Sequence, residues 1–532
     1  MVCFTVLAVV LLAKFPGYMS DDTVGQWGQA HSLVFDDVHP VIHTLAMYVL
    51  SRLVDHYAFV VLGQIIAFSL AVGYLMATLE AWGIGKKTLV FIGAIIILNP
   101  YTINIMMVVW KDVAFTILLT YAVAMTINIY LSHGRWLEKN THIGLFALTV
   151  GLASLVRHNG ILFTLPLLSL LLLVYADKRF KLVTLVLAAV ALILAVMSPP
   201  AGLILTFAAT MFVYLYSSGG TWGKSVKYIG GFAVALALTY GVHREIGIVN
   251  FILFALPLSL IVLGLYASRS RRIVVTVLLV IVVILTVKLP LYKALKVPSA
   301  HMFYQIACCL PMVIMGDVMV KNPQALPPDV KKWLNTFGTD EEWQATYIPG
   351  MYASIEYRKF GVIHKLSSVE PRQMLRMTWD TIKSDPHNSL IAVRDATAHV
   401  WALPGKVFAF RTPWSANIDI EADSGYYQML LYIAITAYDV FILGITPLGD
   451  IFVKTGWQML AILLGGALAC HRYGVKALML VLPTVCYNIG TMPFSEGPGI
   501  DVRFHHFNAV ISLPLLLILF AKLPPANETA SR

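Results

Sequence analysis

Apolar runs long enough to cross a bilayer recur along this chain with short polar turns between them. That pattern leaves few folds open. About 20 apolar residues in a helix match the hydrocarbon core of a membrane. A segment crossing that core must satisfy its own backbone groups, which only helices and closed barrels do. Roughly 11 such segments precede residue 296, several only just long enough: 1–15, 58–82, 88–109, 113–131, 143–157, 161–176, 182–198, 201–216, 229–246, 248–267 and 273–291. Three more follow at 452–470, 476–491 and 504–522. Composition agrees: of 532 residues 58% are hydrophobic and only 12% charged, with a mean hydropathy of +0.77. A soluble domain carries about twice that charged fraction. The expected fold is therefore an all-α polytopic membrane protein with roughly 12–14 transmembrane helices.

The net charge of +10 is not a nucleic-acid signal, because the basic residues fall in short turns between apolar runs. They are Lys86 and Lys87; Arg135 and Lys139; Lys178, Arg179 and Lys181; Lys224 and Lys227; Arg269, Arg271 and Arg272; and Arg472 and Lys476. Cytoplasmic loops carry such charge under the positive-inside rule. The alternate loops then face outward, the Asp-rich first loop among them. The N-terminus is apolar from residue 1, with no basic lead and no small-residue cleavage site. It reads as a short first span rather than a cleaved signal, its natural start left open. The five cysteines show no metal-ligand spacing.

Two regions depart from the spanning pattern. Segment 41–54 carries Ile42, Leu45, Ala46, Val49, Leu50 and Leu53 at helical spacing but is too short to cross, so a helix along the membrane surface is expected. Residues 296–425 hold 13 of the 28 acidic residues and 10 of the 25 prolines, and scatter Trp333, Trp343, Trp379 and Trp401 through a broken apolar pattern. A small outer α or α+β domain is expected there, between an N-terminal membrane module at 1–295 and a C-terminal part at 426–532. For the last loop to fall outside, 426–448 must lie along the membrane without crossing.

Under this topology the polar clusters gather on one face. The first loop, FPGYMSDDTVGQWGQAHSLVFDDVHPVIH, supplies Asp21, Asp22, Asp36, Asp37, His31, His39 and His43. Later junctions supply Trp110, Lys111 and Asp112; Arg157, His158 and Asn159; and Asp501, Arg503, His505 and His506. Carboxylates near lipid are costly and tend to be kept for chemistry. A carboxylate can act as general base, and Arg and Lys can hold a phosphate. Each cluster also has a plainer reading. Asp21 and Asp22 can cap the following helix; Lys111 and Asp112 can pair; Arg157 can snorkel; Asp36 and Asp37 can shape a turn. His505 and His506 are adjacent, so on a helix they point apart and do not suit joint metal ligation.

The stretch FPGYMSDDT…FDDVHPVIH resembles the first outer loop of GT-C-type glycosyltransferases, multi-spanning enzymes that use polyprenyl-phosphate-linked sugars. More narrowly, the chain resembles a group of bacterial polytopic proteins sharing a Pro-Gly-x-x-Ser-x-Asp-Ser/Thr loop, a Trp-Lys-Asp, an Arg-x-Asn-Gly and an Arg-aromatic pair before the last span. Here these are Pro16 to Thr23, Trp110 to Asp112, Arg157 to Gly160, and Arg503 with Phe504. Phe504 stands where Tyr is commoner, and His505 and His506 have no counterpart.

The resemblance implies an inverting sugar transfer at the outer face of a bacterial cytoplasmic membrane, to a cell-envelope glycan or lipid-linked acceptor. Asp22 would be the base, with Asp21 or Asp37 orienting it. Lys111, Arg157 and Arg503 would hold the donor phosphate. His39, Asp36, Asp112 and Asn159 would shape the loop or contact the acceptor. Use of a divalent metal is left open. The competing class is a transporter or flippase of lipid-linked glycans, which calls for mid-membrane charges or broken helices. The clearest mid-span break is Asn99-Pro100, and no charge within that span accompanies it.

Overall fold

A computed structural model describes residues 1–175, 270–298, 302–355, 369–403, 426–444, 454–492 and 501–521. The expected spans 182–198, 201–216, 229–246 and 248–267 lie outside the described residues, as do 404–425. The described residues are helical, with no strand and one isolated bridge, Tyr18 to Val108. Among the described residues, four helical stretches are long and apolar enough to cross a membrane: Tyr57–Ala81, Lys111–Leu131, Arg271–Ala294 and Arg503–Phe520. The chain therefore reads as an integral membrane protein.

The N-terminal helices are α1 (Val2–Ala13), α2 (Asp21–Ser32), α3 (Val41–Ser51), α4 (Tyr57–Ala81), α5 (Lys86–Leu98), α6 (Pro100–Ile105), α7 (Lys111–Leu131), α8 (Asn140–Val156) and α9 (Ile161–Val174). Then come α10 (Arg271–Thr286), α11 (Met302–Lys321), α12 (Pro328–Leu334), α13 (Asp340–Thr346), α14 (Pro371–Ser384) and α15 (Pro386–Trp401). The last four are α16 (Tyr426–Gly444), α17 (Thr455–Tyr473), α18 (Leu478–Thr491) and α19 (His506–Leu517).

Helix α7 is the central post, buried along most of its length and packed on α4, α8 and α19. Helix α8 carries α10 on its other side, and α18 lies against α9. Helices α4, α7, α9 and α19 begin at the end where α1, α8 and α10 finish. The opposite end holds the basic turns: Lys86 pairs with Glu80 at 3.3 Å, and Arg272 donates to the carbonyls of Leu137 and Glu138.

The expected span 88–109 is not one helix. Asn99 caps α6 by accepting from the Tyr101 N–H at 2.9 Å, Pro100 opens it, and residues 106–110 leave helical geometry before α7. Proline lacks the donor that a continuous helix needs at that position. Helix α3, with 11 residues, is only about 16 Å long. It packs on α2, α4 and α8. Helix α16 lies beside α1 and α6, and its Asp439 meets Lys14 at 3.4 Å. The same Asp439 accepts from the Asn104 amide at 2.9 Å, so a charged pair does stand beside the Asn99-Pro100 break.

A second apolar core forms around α11, where Trp343 is fully buried and α14 and α15 pack. Thr339 and Glu342 close a reciprocal cap at the start of α13. Asp317, fully buried in α11, pairs with Lys321 and accepts from the Tyr347 hydroxyl at 2.7 Å and the Gly350 N–H at 3.2 Å. Helix α15 joins this unit to the bundle by packing on α17.

Candidate active site

The first loop is held in place by backbone pairing with the non-helical stretch before α7. Tyr18 N–H donates to the Met107 carbonyl at 2.8 Å, and Val109 N–H donates to the Tyr18 carbonyl at 3.0 Å. Non-helical backbone at membrane depth needs partners from its surroundings. Gln64, buried on α4, supplies two of them, donating to the carbonyls of Met106 at 2.7 Å and Val108 at 2.9 Å. Gly17 makes the turn possible. Its φ is +93°, and a Cβ there would stand 2.9 Å from the Met107 oxygen and from a Val61 methyl. Only glycine takes that conformation without cost.

Ser20, Thr23 and Trp110 finish the joint. The Trp110 indole donates to Ser20 Oγ at 2.8 Å, and Thr23 Oγ1 donates to the Val109 carbonyl at 2.6 Å. Ser20 is the N-cap of α2, so Asp22 sits in the first turn and its carboxylate is not the cap. The Asp21 side chain lies outside the described residues.

The stitched joint sets Asp22 against three cationic or imidazole groups. Arg503 Nη1 lies 3.6 Å from its carboxylate, Lys111 Nζ 3.7 Å and His39 Nε2 3.8 Å. Asp22 remains 36% exposed while Lys111, Arg503 and His39 are each 14% exposed. The carboxylate is the most accessible of the four groups, and the cations are the more buried. Burial pushes the Asp22 carboxyl up, but Lys111, Arg503 and His39 together hold it below the ordinary aspartate value, so it is ionised at neutral pH. Burial, aided by the charge of Lys111, lowers His39 to about 4, so it is neutral. Lys111 Nζ donates to His39 Nδ1 at 2.7 Å, which assigns the proton to Nε2, the nitrogen facing Asp22.

Behind this group lies a closed pair. Asp112 bonds Arg157 and is 1% exposed. The Arg157 guanidinium stacks 3.8 Å above the Phe504 ring. Arg503 lies over the Trp110 ring at 5.1 Å and the Phe504 ring at 5.3 Å. Gly160 lets the turn after α8 close: a Cβ there would strike the Ala153 oxygen at 2.3 Å. One oxygen of Asp112 and the Asn159 side-chain oxygen are buried without a partner among the described residues.

The remaining first-loop residues take other places. Asp36 accepts from the Gln29 amide at 2.9 Å and from the Val38 N–H at 3.0 Å, a turn role. Asp37 is not among the groups placed against Asp22: it pairs with Lys288 at 3.1 Å and accepts from the Tyr292 hydroxyl at 2.7 Å. His43 pairs with Gln26 at 3.2 Å inside the loop, and His31 with the exposed Asp55 at 2.7 Å. His505 and His506 point apart, one to Asn488 at 2.7 Å and the other to Thr102 at 3.2 Å. The Asp501 side chain lies outside the described residues.

Sequence reasoning missed Lys288, a lone charge inside the apolar run before Pro290, and Gln64, a lone amide in α4. Both were visible as single polar residues in apolar sequence. The residues around Asp22 suit an anion better than a divalent cation. One carboxylate and one imidazole face two fixed cations, and a hard cation needs several oxygens. Among the described residues no group of three His, Cys, Asp or Glu is placed to hold a metal. No family model, curated protein or solved structure matches this chain.

Proposed function

We propose that this protein transfers a sugar from a polyprenyl-phosphate donor to a cell-envelope acceptor at the outer face of a bacterial cytoplasmic membrane. The observation that carries the reading is an ionised, accessible carboxylate with two cations and a neutral imidazole within 4 Å of it, at one end of an apolar bundle. In this reading Asp22 takes the proton of the acceptor hydroxyl. The hydroxyl oxygen bonds the anomeric carbon from the face opposite the phosphate, and the bond from that carbon to the phosphate oxygen breaks. The phosphate departs with the electron pair and inverts the centre. Lys111 and Arg503 receive the phosphate. Arg157, paired with Asp112, braces the Phe504 ring behind Arg503, and neutral His39 stands 3.8 Å from the Asp22 carboxylate. A lipid tail stays in the bilayer while the polar head reacts.

A labelled polyprenyl-phosphate sugar, incubated with the purified protein and membrane acceptors, tests this directly. Transfer by the wild-type protein that is lost in Asp22→Asn supports the assignment. An Asp22→Asn protein that still transfers rules Asp22 out as base.

The second reading, a transporter or flippase of lipid-linked glycans, gains one specific observation. Lys14, Asn104 and Asp439 form a buried charged group beside the broken α5–α6 segment, where transporters place their sites. Movement of a labelled lipid-linked glycan across proteoliposomes without sugar transfer would favour it.

A further inference from the structure

A shallow, open cavity of about 690 Å³ lies where α10 ends, lined by Asp37, Lys288, Leu289, Pro290, Tyr292 and Lys293. That volume suits a small ligand or a lipid headgroup. The chain shapes it with a π-helical turn at Val287–Leu291 that contains Pro290, a distortion found often at functional sites. The turn aims Lys288 inward: its ammonium meets Asp37 at 3.1 Å and the Tyr292 hydroxyl at 3.0 Å. Lys293 lines the same cavity and has no acidic partner among the described residues. Two lysines against one carboxylate leave the cavity net positive. Leu289 and Pro290 give it an apolar wall.

The cavity shares a wall with the Asp22 site. Asp37 and His39 are two residues apart, so their Cα atoms lie within about 7 Å. Arg157 and His158 are adjacent. Arg157 pairs with Asp112, while His158 Nε2 donates to the Asp37 carbonyl at 3.0 Å. The Asp37–His39 segment of the first loop therefore separates a molecule seated there from the Asp22 group.

We propose that this cavity is the acceptor subsite and that its ligand is a phosphate-bearing polyol carried on a lipid. The phosphate sits on Lys293 and Lys288, the polyol hydroxyls donate to Asp37, and the chain lies along Leu289 and Pro290. Naming the ligand an acceptor rests on the transfer reading. The binding itself does not.

The test uses full-length protein in nanodiscs of mixed phosphatidylcholine and phosphatidylglycerol, with retained lipid measured by native mass spectrometry. Wild-type protein is expected to retain phosphatidylglycerol at least tenfold over phosphatidylcholine. Lys293→Gln, at an exposed side chain, should cut that preference severalfold, and Lys288→Gln with Lys293→Gln should remove it. Lys87→Gln, at the other end of the bundle, should leave it intact. Equal retention of the two lipids by the wild-type protein, or an unchanged preference in Lys293→Gln, overturns the proposal. Soluble glycerol 3-phosphate that displaces the lipid at micromolar concentration in a lysine-dependent manner overturns the lipid-borne part. Because no sugar is transferred in this measurement, a wild-type protein that transfers no labelled sugar would end the transfer reading and leave this result standing.

Discussion

Asp22 and Asp112 stand in one ionic group and have opposite fates. Asp112 is 1% exposed and bonded to Arg157, whose other face is covered by Phe504. Asp22 keeps 36% of its side chain open, and its cations stop at 3.6 and 3.7 Å. A closed pair has no room for a substrate and fixes where its helices meet, here the start of α7 and the end of α8. An open carboxylate backed by cations stays ionised and reachable. The contrast separates a strut from a reagent, and each can be broken independently.

The largest expected effect is on activity. Asp22→Asn cannot take a proton, and general base catalysis contributes roughly 10²–10⁴-fold. A loss of that size in labelled-sugar transfer is expected, with little change in melting temperature. An Asp22→Asn protein that unfolds would make Asp22 a strut too. Next is Asp112→Asn, which leaves Arg157 buried without its counter-charge. Losing one partner of a buried pair costs about 3–5 kcal/mol. Denaturation in detergent should show it, and Asp112→Leu with Arg157→Met should recover most of the loss, since apolar replacement of both partners is often neutral. No recovery in the double variant would mean that the pair does more than join helices.

The third effect depends on pH. His39 is lowered to about 4 in the folded protein against an ordinary 6.5. Between those values the unfolded chain binds a proton that the folded protein refuses. Stability is therefore fully present above pH 6.5 and falls as pH drops toward about 4, by at most about 3 kcal/mol for this group. His43 and His399, lowered by burial to about 3 and about 4, add slopes of the same sign. His39→Gln should flatten its share of the slope. An unchanged slope would mean that His39 titrates normally. Asp22 lies below its ordinary value, so its own loss of charge comes only at still lower pH.

Much of the bundle was legible because bilayer-length apolar runs and their turns are set by local sequence. Helices α4, α7, α8 and α9 start and stop within a few residues of the expected spans. The Lys111, Arg157 and Arg503 clusters were legible for the same reason, as charges at the ends of apolar runs. What local sequence does not carry is pairing. Arg157 takes Asp112 and leaves Asp22 to Lys111 and Arg503, because the bridge between Tyr18 and Val108 sets which groups meet. The resemblance offers Asp37 as one of two residues to orient Asp22, yet its partners Lys288 and Tyr292 come from more than 250 residues away. The break in 88–109 was visible at Pro100. Its use, freeing residues 106–110 to pair with the first loop, was not.

The smallest effect sharpens the boundary between strut and reagent, because Phe504 is the wall between them. Its ring lies 3.8 Å from the Arg157 guanidinium and 5.3 Å from that of Arg503. A desolvated cation over an aromatic face is worth about 1–2 kcal/mol. Phe504→Leu keeps the apolar volume and removes that face. Because Arg157 is the nearer and more buried of the two, the loss should fall mainly on stability, by about 1 kcal/mol, with a smaller rise in the KM for the donor through Arg503. Phe504→Tyr preserves the face and should leave both unchanged. If Phe504→Leu instead raises KM strongly and leaves the melting temperature alone, the ring serves the open carboxylate side. Arg157 would then count among the groups that receive the phosphate, and the division between the two aspartates would have to be redrawn around it.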